Sequence, residues 1–488
     1  HERGFDPARV TELLHAVEAD TTPLLVDADV LSGLAELVAG DNGLTARSAT
    51  FARRDAVQAV AAALPAGGTV AKVEWLADQL LADGRVVTVG RGEQLSLLDR
   101  TPTDIDDPIR FTTASLLTAE ADAIQRALGR RDDGSGIVDG ATLDWTLRRH
   151  RELGADQFEM VRRLCTSGAG VDIVVGKAGS GKTHALAVAH EAWQAAGVRV
   201  VGCPLAARAA RGLQESSGIP STTLHRLLGT FDDHRTGSAL PPKGIVVVDE
   251  AGMVGTRQLA TLLARAEQRD TKVVLVGDPA QLSEIDAGGL FRGLVNRLPT
   301  IELTENRRQR TPWERAVVDQ LRTGHTRPAV EGYAEHDRLT VLPLDEVVGR
   351  VLDHWERLAD QHGPQSVVVI ARARRQVDLL NSEARQRRIA TGHVIGAELR
   401  TPRGQRFAAG DRVVCLSNDR RLGVDNGTPA TVVAVNADAT LSIRPDGAAR
   451  DLTLPAGYLE QDHITHAYAI TGHKAQGVTV DHALVVAD

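Results

Sequence analysis

Short β-branched runs alternate with helix-period stretches through the middle of the chain: "VDIVV" (171–175), "VRVVGC" (198–203), "GIVVVDE" (244–250) and "KVVLVGD" (272–278). Val/Ile runs without polar alternation belong to strands covered on both faces, so from residue 151 the pattern predicts a parallel sheet between layers of helices. A second region of the same kind begins near 310 and includes "SVVVIA" (366–371). Between 400 and 462 the texture becomes all-β, with "DRVVCLS", "ATVVAVN" and "TLSIRP" separated by the turn signals "PRG", "AAGD", "DNG", "NADA" and "PDG". That is the signature of a small barrel. Residues 1–150 differ from both: "DAVQAVAAAL" (55–64) and "VEWLADQLLADG" (73–84) have helical spacing and "RVVTVG" (85–90) reads as a strand. With "RRDDGSGIVDG" (130–140) as an exposed loop, this part reads as a mainly helical accessory domain.

Length and composition narrow the class. A chain of 488 residues exceeds one ordinary core and calls for about three or four domains. Hydrophobic residues at 42% and charged residues at 25% fit a soluble globular protein. No run approaches the ~18 apolar residues of a membrane span and no charged-then-apolar leader opens the chain, so the expectation is a cytoplasmic protein with no membrane partner. Cys165, Cys203 and Cys415 form no CxxC pair and read as structural thiols of a reducing compartment. A formal charge of -8 argues against blanket adhesion to nucleic acid, so any polyanion site must be local. The chain opens on "HERGFD" without Met and stops at "HALVVAD" just after a strand-like run, as expected of a piece of something longer.

The chemistry concentrates in "GKAGSGKTH" (176–184), a GxxxxGK[ST] pattern between a predicted strand and a predicted helix. Gly176, Gly179 and Gly181 let the backbone curl so that its N–H groups and the helix N-terminus face an anion. Lys182 then reaches the outer phosphates and Thr183 can hold Mg²⁺, with Ser180 completing the loop. Past the loop by 67 residues, "GIVVVDEAGM" sets Asp249 and Glu250 at a strand end, where one carboxylate can hold Mg²⁺ and its neighbour can polarise an attacking water. In "VGDPAQLSEI" (276–285), Gln281 stands where an amide could report a γ-phosphate, although the same string also suits an ordinary strand-to-helix turn.

Together, "GDPAQL" after a phosphate loop and "DEAGM" resembles motif III of superfamily 1 helicases, and further stretches follow that family's order. "LGADQFEMVRRLCTSG" (153–168) resembles the adenine-reading Q motif, with Gln157 as its amide. "CPLAARAARGL" (203–213) and "TTLHRLL" (222–228) resemble motifs Ia and Ib, and "LTENRRQ" (303–309) resembles motif IV with Arg308 in the arginine-finger place and Arg307 as the competing position. "ARARRQVDLLN" (371–381) resembles the start of a second motor domain, and "THAYAITGHKAQGVTVDHALVV" (465–486) resembles motif V, with Thr471, His473, Lys474, Gln476 and Gly477 matching. The resemblance spans about residues 151–488 and is strongest to the RecD-like branch, within it to the helicase part of MobF/TraI-type conjugative relaxases.

The resemblance implies an α/β fold of tandem RecA-like P-loop NTPase domains with an SH3-like β-barrel insertion behind a mainly helical N-terminal accessory domain. The expected division is 1–150 accessory, 151–309 motor domain 1A with a short hairpin at 229–244, 310–399 the first part of motor domain 2A, 400–462 the barrel, and 463–488 the return of 2A. It implies ATP and Mg²⁺ as cofactors, with Gln157 and residues 176–183 at the nucleotide, Thr183 and Asp249 at the metal, and Lys182, Glu250, Gln281 and Arg308 in catalysis. Arg208, Thr223, His225, Arg372, Thr471 and His473 would meet DNA, and Tyr468 and Trp313 are possible stacking groups that elsewhere are more often core residues. The expected activity is an ATP-dependent 5′-to-3′ helicase acting on single-stranded DNA and duplex junctions, with a relaxase domain in the same full-length chain. A RecD-like repair helicase is the neighbouring reading, and a nucleotide-gated DNA-binding module without turnover is the reading of a different class. Motif VI does not occur before Asp488, which would cripple turnover in a chain ending there. With no HxH grouping among 16 histidines and no Tyr in residues 1–150, nicking activity is not expected of these residues.

Overall fold

The computed structural model describes residues 28–40, 43–64, 67–91, 109–177, 179–231, 240–281, 287–309, 311–419, 421–475, 478 and 480–487. It divides into two compact units, His1–Val201 with His225–Asn306, and Gly202–Leu224 with Arg307–Asp488. No helix of the described residues is long and apolar enough to cross a membrane.

The first unit begins with helices α1 (Ala28–Ala39), α2 (Arg53–Ala62) and α3 (Val70–Leu81), followed by the antiparallel ribbon β1 (Val86–Arg91) and β2 (Ile109–Thr113). Their apolar faces close a small separate core of Phe51, Ala56, Val60, Val73, Leu76, Ala77 and Leu80. Thr69 caps α3 by accepting from the Lys72 N–H, which explains where that helix starts. Helix α4 (Ala114–Gly129) then packs along a helix of the central layer, and α5 (Gly140–Arg149) and α6 (Ala155–Thr166) lead into the main sheet.

That sheet holds β3 (Val171–Gly176), β4 (Val200–Gly202), β5 (Ile245–Val248), β6 (Lys272–Gly277) and β7 (Thr300–Leu303) in the order β4-β5-β6-β3-β7. β3 runs parallel to β6 and β7, and β5 runs parallel to β6. β5 and β6 are buried at every position, so the uninterrupted valines have helices on both faces. The helices of this unit that follow its strands are α7 (Lys182–Ala195), α9 (Leu224–Gly229) and α10 (Thr256–Glu267), while α8 (Ala207–Ser217) belongs to the second unit. α10 packs on α4, with an ion pair between Arg126 and Glu267.

The 130–140 segment is a loop as expected but is anchored at two points. Arg130 is buried and donates to the Thr271 carbonyl at 3.0 Å, and the Gly136 carbonyl accepts from Trp193 Nε1 at 3.1 Å. Beside it, the fully buried Lys272 donates to Asp172 at 2.7 Å and to Ser167 Oγ at 2.9 Å, joining the starts of β6 and β3.

The second unit carries the mutually packed helices α11 (Pro312–Arg322) and α12 (Thr326–Glu335), and α13 (Leu344–His362) and α14 (Arg374–Ala390), which pack on a three-stranded parallel sheet. Its strands β8 (Val367–Ala371), β16 (Ala469–Thr471) and β17 (His482–Val486) are ordered β16-β8-β17. Between β8 and β16 the chain makes an antiparallel excursion. β9 (Ile395–Arg400) and β10 (Arg406–Ala409) form a ribbon, and β11 (Arg412–Cys415), β12 (Pro429–Val435), β13 (Leu441–Pro445), β14 (Leu452–Leu454) and β15 (Ile464–His466) form a sheet ordered β14-β13-β12-β11-β15. The excursion has its own core, including Phe407, Val413, Val432, Leu441, Ile443 and Ile464.

A buried carboxylate joins the excursion to the parallel sheet. Asp411 is fully buried and receives Arg385 Nε at 3.0 Å, the Tyr468 hydroxyl at 2.8 Å and the Ala408 N–H at 2.7 Å. Burial alone would raise its pKa, but the neighbouring His466, the Ala408 N–H and Arg385 outweigh it and hold Asp411 below the usual carboxylate range. Tyr468 is 1% exposed and meets Trp355 edge-on, so it is a core residue and not a stacking platform for bases.

Candidate functional site

The site is built at the C-terminal ends of the parallel strands, where loops leave a twisted sheet and side chains from separate segments meet. β3 runs into the phosphate loop, β5 into Asp249 and Glu250, and β6 into Asp278 and Gln281. Register sets these ends level, because Val175 pairs with Gly277 and Val248 with Leu275.

Two glycines show why the loop needs its composition. A Cβ on Gly176 would sit 2.7 Å from Lys182 Cδ and 3.0 Å from Ser180 Oγ, so the lysine lies against bare backbone. Gly181 caps α7 at φ 79°, a left-handed conformation that costs an L side chain about 1–2 kcal/mol. Glycine also offers no side-chain oxygen to the helix start, which leaves that positive end to an anion. Gly181→Ala should therefore lower nucleotide affinity at least tenfold in equilibrium titration with a fluorescent ATP analogue, and unchanged affinity would contradict the loop's assignment.

Lys182 Nζ donates to the carbonyls of Gly176 at 2.8 Å and Lys177 at 3.3 Å, which holds the ammonium over the loop. Asp249 accepts from the Glu250 N–H at 2.9 Å. Burial raises the pKa of Asp249 against the pull of the Lys182 charge. Glu250 is also raised, by burial first and then by the charge of Asp249, again opposed by Lys182. Its backbone sits at φ 54°, the left-handed region that a non-glycine residue enters only when its surroundings impose it. Asp278 is buried and accepts from the Ala280 N–H at 3.0 Å, shaping the turn that carries Gln281. Gln157 is buried beneath the loop. Its Nε2 donates to the Gly181 carbonyl at 3.1 Å and its Oε1 accepts from the Gly154 N–H at 3.1 Å, so in this state the amide braces the phosphate loop.

Comparison with known proteins agrees with this geometry. The family model described as an AAA domain matches residues 152–343. The conjugal transfer protein TraA of Rhizobium radiobacter is 35% identical over 432 residues, covering 86% of this chain and 38% of that protein. The ATP-dependent RecD2 DNA helicase of Deinococcus radiodurans is 29% identical over 351 residues, 70% of this chain and 46% of that protein. The chain belongs to the RecD-like branch of superfamily 1. It is related to conjugal transfer proteins of the TraA type and spans about 38% of the length of the first of them. Among solved structures, the Pif1 helicase from Bacteroides in complex with ADP-AlF3 and ssDNA is 18% identical, with a TM-score of 0.45 over 69% of this chain and 86% of that one.

Other expected positions of this RecD-like chain fall into two groups. Thr471 pairs in register with Ala371, so Arg372 after β8 and His473 in α15 (Gly472–Ala475) leave the second sheet at the same edge. Arg372 and His473 are exposed, while the Thr471 hydroxyl accepts from the Lys474 N–H at 3.4 Å. Arg208 donates to the Gly427 carbonyl at 3.4 Å, and next to it Arg211 pairs with Asp425 at 2.7 Å. Thr223 is half-buried, and His225 is exposed and lines a shallow pocket with Leu228, Phe231, Thr261 and Arg265. Arg307 and Arg308 are both exposed and open the Arg307–Asp488 segment of the second unit. Trp313 stacks on His336 at 3.9 Å within the pair α11–α12. The proposed hairpin falls largely on 232–239, and Gln476 and Gly477 likewise lie outside the described residues.

Sequence reasoning missed Asn381. This buried amide donates to the Ala469 carbonyl at 3.0 Å and accepts from its N–H at 2.8 Å, fixing β16 just before Thr471. It also missed the ties around His150, whose two ring nitrogens meet Glu152 at 2.9 Å and Glu191 at 2.8 Å. Both ring nitrogens can serve carboxylates only in the imidazolium form. Burial lowers the His150 pKa, but the bonds to Glu191 and Glu152 outweigh it and the net shift is upward. Stability from this group is fully present below the unfolded value of about 6.5 and is lost as pH rises through the higher folded value. In thermal melts, wild type should exceed His150→Ala at pH 6 by no more than about 1 kcal/mol, because the site is partly solvated, and the gap should shrink by pH 8.5. A gap that widens with pH would contradict the assignment.

Proposed function

We propose that this chain is the ATP-dependent, 5′-to-3′ translocating motor of a conjugative relaxase. The observation that carries the reading is the alignment of the phosphate loop, the Asp249–Glu250 pair and the Gln281 turn on the level ends of β3, β5 and β6. The cradle fits a nucleotide triphosphate. Bare backbone at Gly176 admits the lysine, and an uncapped helix start with an ammonium nearby suits clustered phosphate oxygens.

In this reading Lys182 binds the outer phosphates, Thr183 and Asp249 hold Mg²⁺, and residues 176–183 wrap the phosphate chain. When bound there, the metal would supply charge neutralisation to the phosphates. Glu250 orients the attacking water and takes its proton, a role suited to a carboxyl whose pKa burial has raised. Gln281 reports the state of the terminal phosphate, Gln157 holds the loop and reads the base, and Arg308 stabilises charge on the transferring group. Motor domains 1A (151–309) and 2A (310–399 with 463–488), an SH3-like barrel (400–462) and a helical accessory domain (1–150) complete the proposed organisation. Arg208, Thr223, His225, Arg372, Thr471 and His473 are the proposed contacts with single-stranded DNA, and a relaxase domain in the full-length protein is the proposed partner.

Strand displacement tests the direction. Substrates with a 5′ single-stranded tail should be unwound with ATP and Mg²⁺, and otherwise identical 3′-tailed substrates should not. Displacement only from the 3′ tail would refute the polarity, and DNA binding without displacement or ATP turnover would leave the nucleotide-gated module in its place.

A further inference from the structure

The core shared by α1, α2, α3 and the β1–β2 ribbon is separate from the main sheet, yet the segment 43–52 that belongs to it is bonded to the elements of the candidate site. Arg257, the second residue of α10, donates through Nη1 to the Thr45 carbonyl at 2.6 Å and through Nη2 to the Thr45 hydroxyl at 2.8 Å, across 212 positions of chain. Thr45 is 1% exposed, so this fork closes inside the protein. A guanidinium held through two of its nitrogens is fixed in orientation as well as in place.

Beside the fork, three segments join through their backbones. The Thr256 N–H donates to the Ala287 carbonyl at 2.7 Å, and the Ala287 N–H donates to the Ala46 carbonyl at 3.2 Å. Ala287 is buried and stands six positions after Gln281, where the chain returns from the turn that begins at Asp278. It is therefore gripped from one side by α10 and from the other by the accessory segment.

Both ends of this linkage are stiff. In the accessory segment, Thr45 Oγ1 lies 3.0 Å from Thr113 Oγ1, the Thr112 hydroxyl donates to the Ala49 carbonyl at 2.7 Å, and Phe51 and Phe111 exchange both backbone bonds at 2.9 Å. On the other side, one short turn separates α10 from Glu250. The Met253 N–H donates to the Glu250 carbonyl at 2.9 Å and the Val254 N–H to the Ala251 carbonyl at 3.2 Å. A Cβ on Gly252 of that turn would stand 3.2 Å from the Asp278 carbonyl, so the turns carrying Glu250 and Gln281 rest on each other. Movement in either turn thus reaches Thr45 through a contiguous, hydrogen-bonded path, the kind of network that carries coupling between sites.

We propose that Thr45 and Arg257 are positioning residues for ATP hydrolysis, through which the accessory segment holds the Glu250 and Gln281 turns in place and responds when a terminal phosphate arrives. The inference rests on the roles proposed above for Glu250 and Gln281. Neither Thr45 nor Arg257 lies in the phosphate loop, so they govern turnover and not nucleotide affinity.

Hydrogen exchange read by mass spectrometry tests the link on wild type and Arg257→Ala. In wild type, ADP with aluminium fluoride and Mg²⁺ should slow exchange over 176–183, and should slow it severalfold over 43–52 beyond the change seen with ADP alone. In Arg257→Ala the phosphate loop should still be protected, while the response at 43–52 disappears. In steady-state hydrolysis with single-stranded DNA, Arg257→Ala and Thr45→Val should lose about ten- to a hundredfold in kcat with little change in KM, the order expected when a catalytic group is displaced by up to about an ångström. Thr45→Ser keeps the hydroxyl and should recover most of that loss. Wild-type exchange over 43–52 that ignores the analogue while 176–183 is protected overturns the inference and leaves the motor reading standing. A Thr45→Val protein with wild-type kcat also overturns it, as does Thr45→Ser failing as badly as Thr45→Val, which would mark a packing role. Should Arg257→Ala not fold, the wild-type exchange and the two Thr45 variants carry the test alone. Absence of protection at 176–183 in wild type ends the motor reading and this inference with it.

Discussion

Replacing Lys182 with alanine should reduce DNA-stimulated ATP hydrolysis by about 10²–10³-fold, the usual loss when one preorganised group facing the developing charge is removed. The expectation follows from how the side chain is held. Two carbonyls of the loop fix the ammonium at 2.8 and 3.3 Å, so its position is set before any phosphate arrives and little reorganisation is left to the reaction. Its charge also lowers the pKa of both Asp249 and Glu250, and without it burial would push those carboxyls further towards their neutral forms. The defect should thus appear in turnover as well as in binding. Steady-state hydrolysis with and without single-stranded DNA, alongside direct titration of nucleotide, separates the two. A folded Lys182→Ala protein retaining more than a tenth of wild-type turnover would show that the loop does not do this chemistry.

The largest stability effect is expected at the opposite end of the same sheet, where β6 begins. Lys272 has no solvent exposure, and its ammonium is distributed over Asp172 at 2.7 Å, Ser167 Oγ at 2.9 Å and the Ser135 carbonyl at 3.4 Å. An ammonium has three protons, and here each has an acceptor. Lys272→Ala strands a buried carboxylate that, among the described residues, keeps the Ser167 hydroxyl at 2.7 Å as its side-chain partner. Breaking one side of a buried pair costs about 3–5 kcal/mol, which should lower the melting temperature by on the order of 10 °C. Lys272→Met/Asp172→Leu removes both charges and should recover most of that loss, because the desolvation of two ions disappears with their attraction. A single variant within about 1 kcal/mol of wild type would show that the pair contributes little.

How far these features could be read beforehand depends on whether their cause is local. The strands β3, β5 and β6 were legible because strands covered on both faces are runs of apolar residues, and "VDIVV", "GIVVV" and "KVVLV" are apolar apart from Asp172 and Lys272, which pair with each other. The phosphate loop was legible because its function is confined to eight consecutive residues, 176–183. Lys272 was not. Its charge stands between the polar "RDT" and the apolar "VVLV", where a lysine would ordinarily reach solvent, and its partners Asp172 and Ser167 lie about a hundred residues upstream. Asn381 and Ala469 are separated by 88 positions and Tyr468 and Asp411 by 57, and a buried polar contact of that span leaves no periodic trace. The same reasoning explains Tyr468: its neighbours in sequence resemble a motif, but its hydroxyl is committed to a carboxylate from another segment.

The Asp411 cluster has a mechanical corollary. One acidic group, in the turn before β11, grips Arg385 of α14, Ala408 of β10 and the tyrosine immediately ahead of β16. A load applied to the antiparallel excursion is therefore delivered without slack to the strand that ends at Thr471. The excursion behaves as a lever arm welded to its fulcrum, not a bead on a tether, and Tyr468 is the weld.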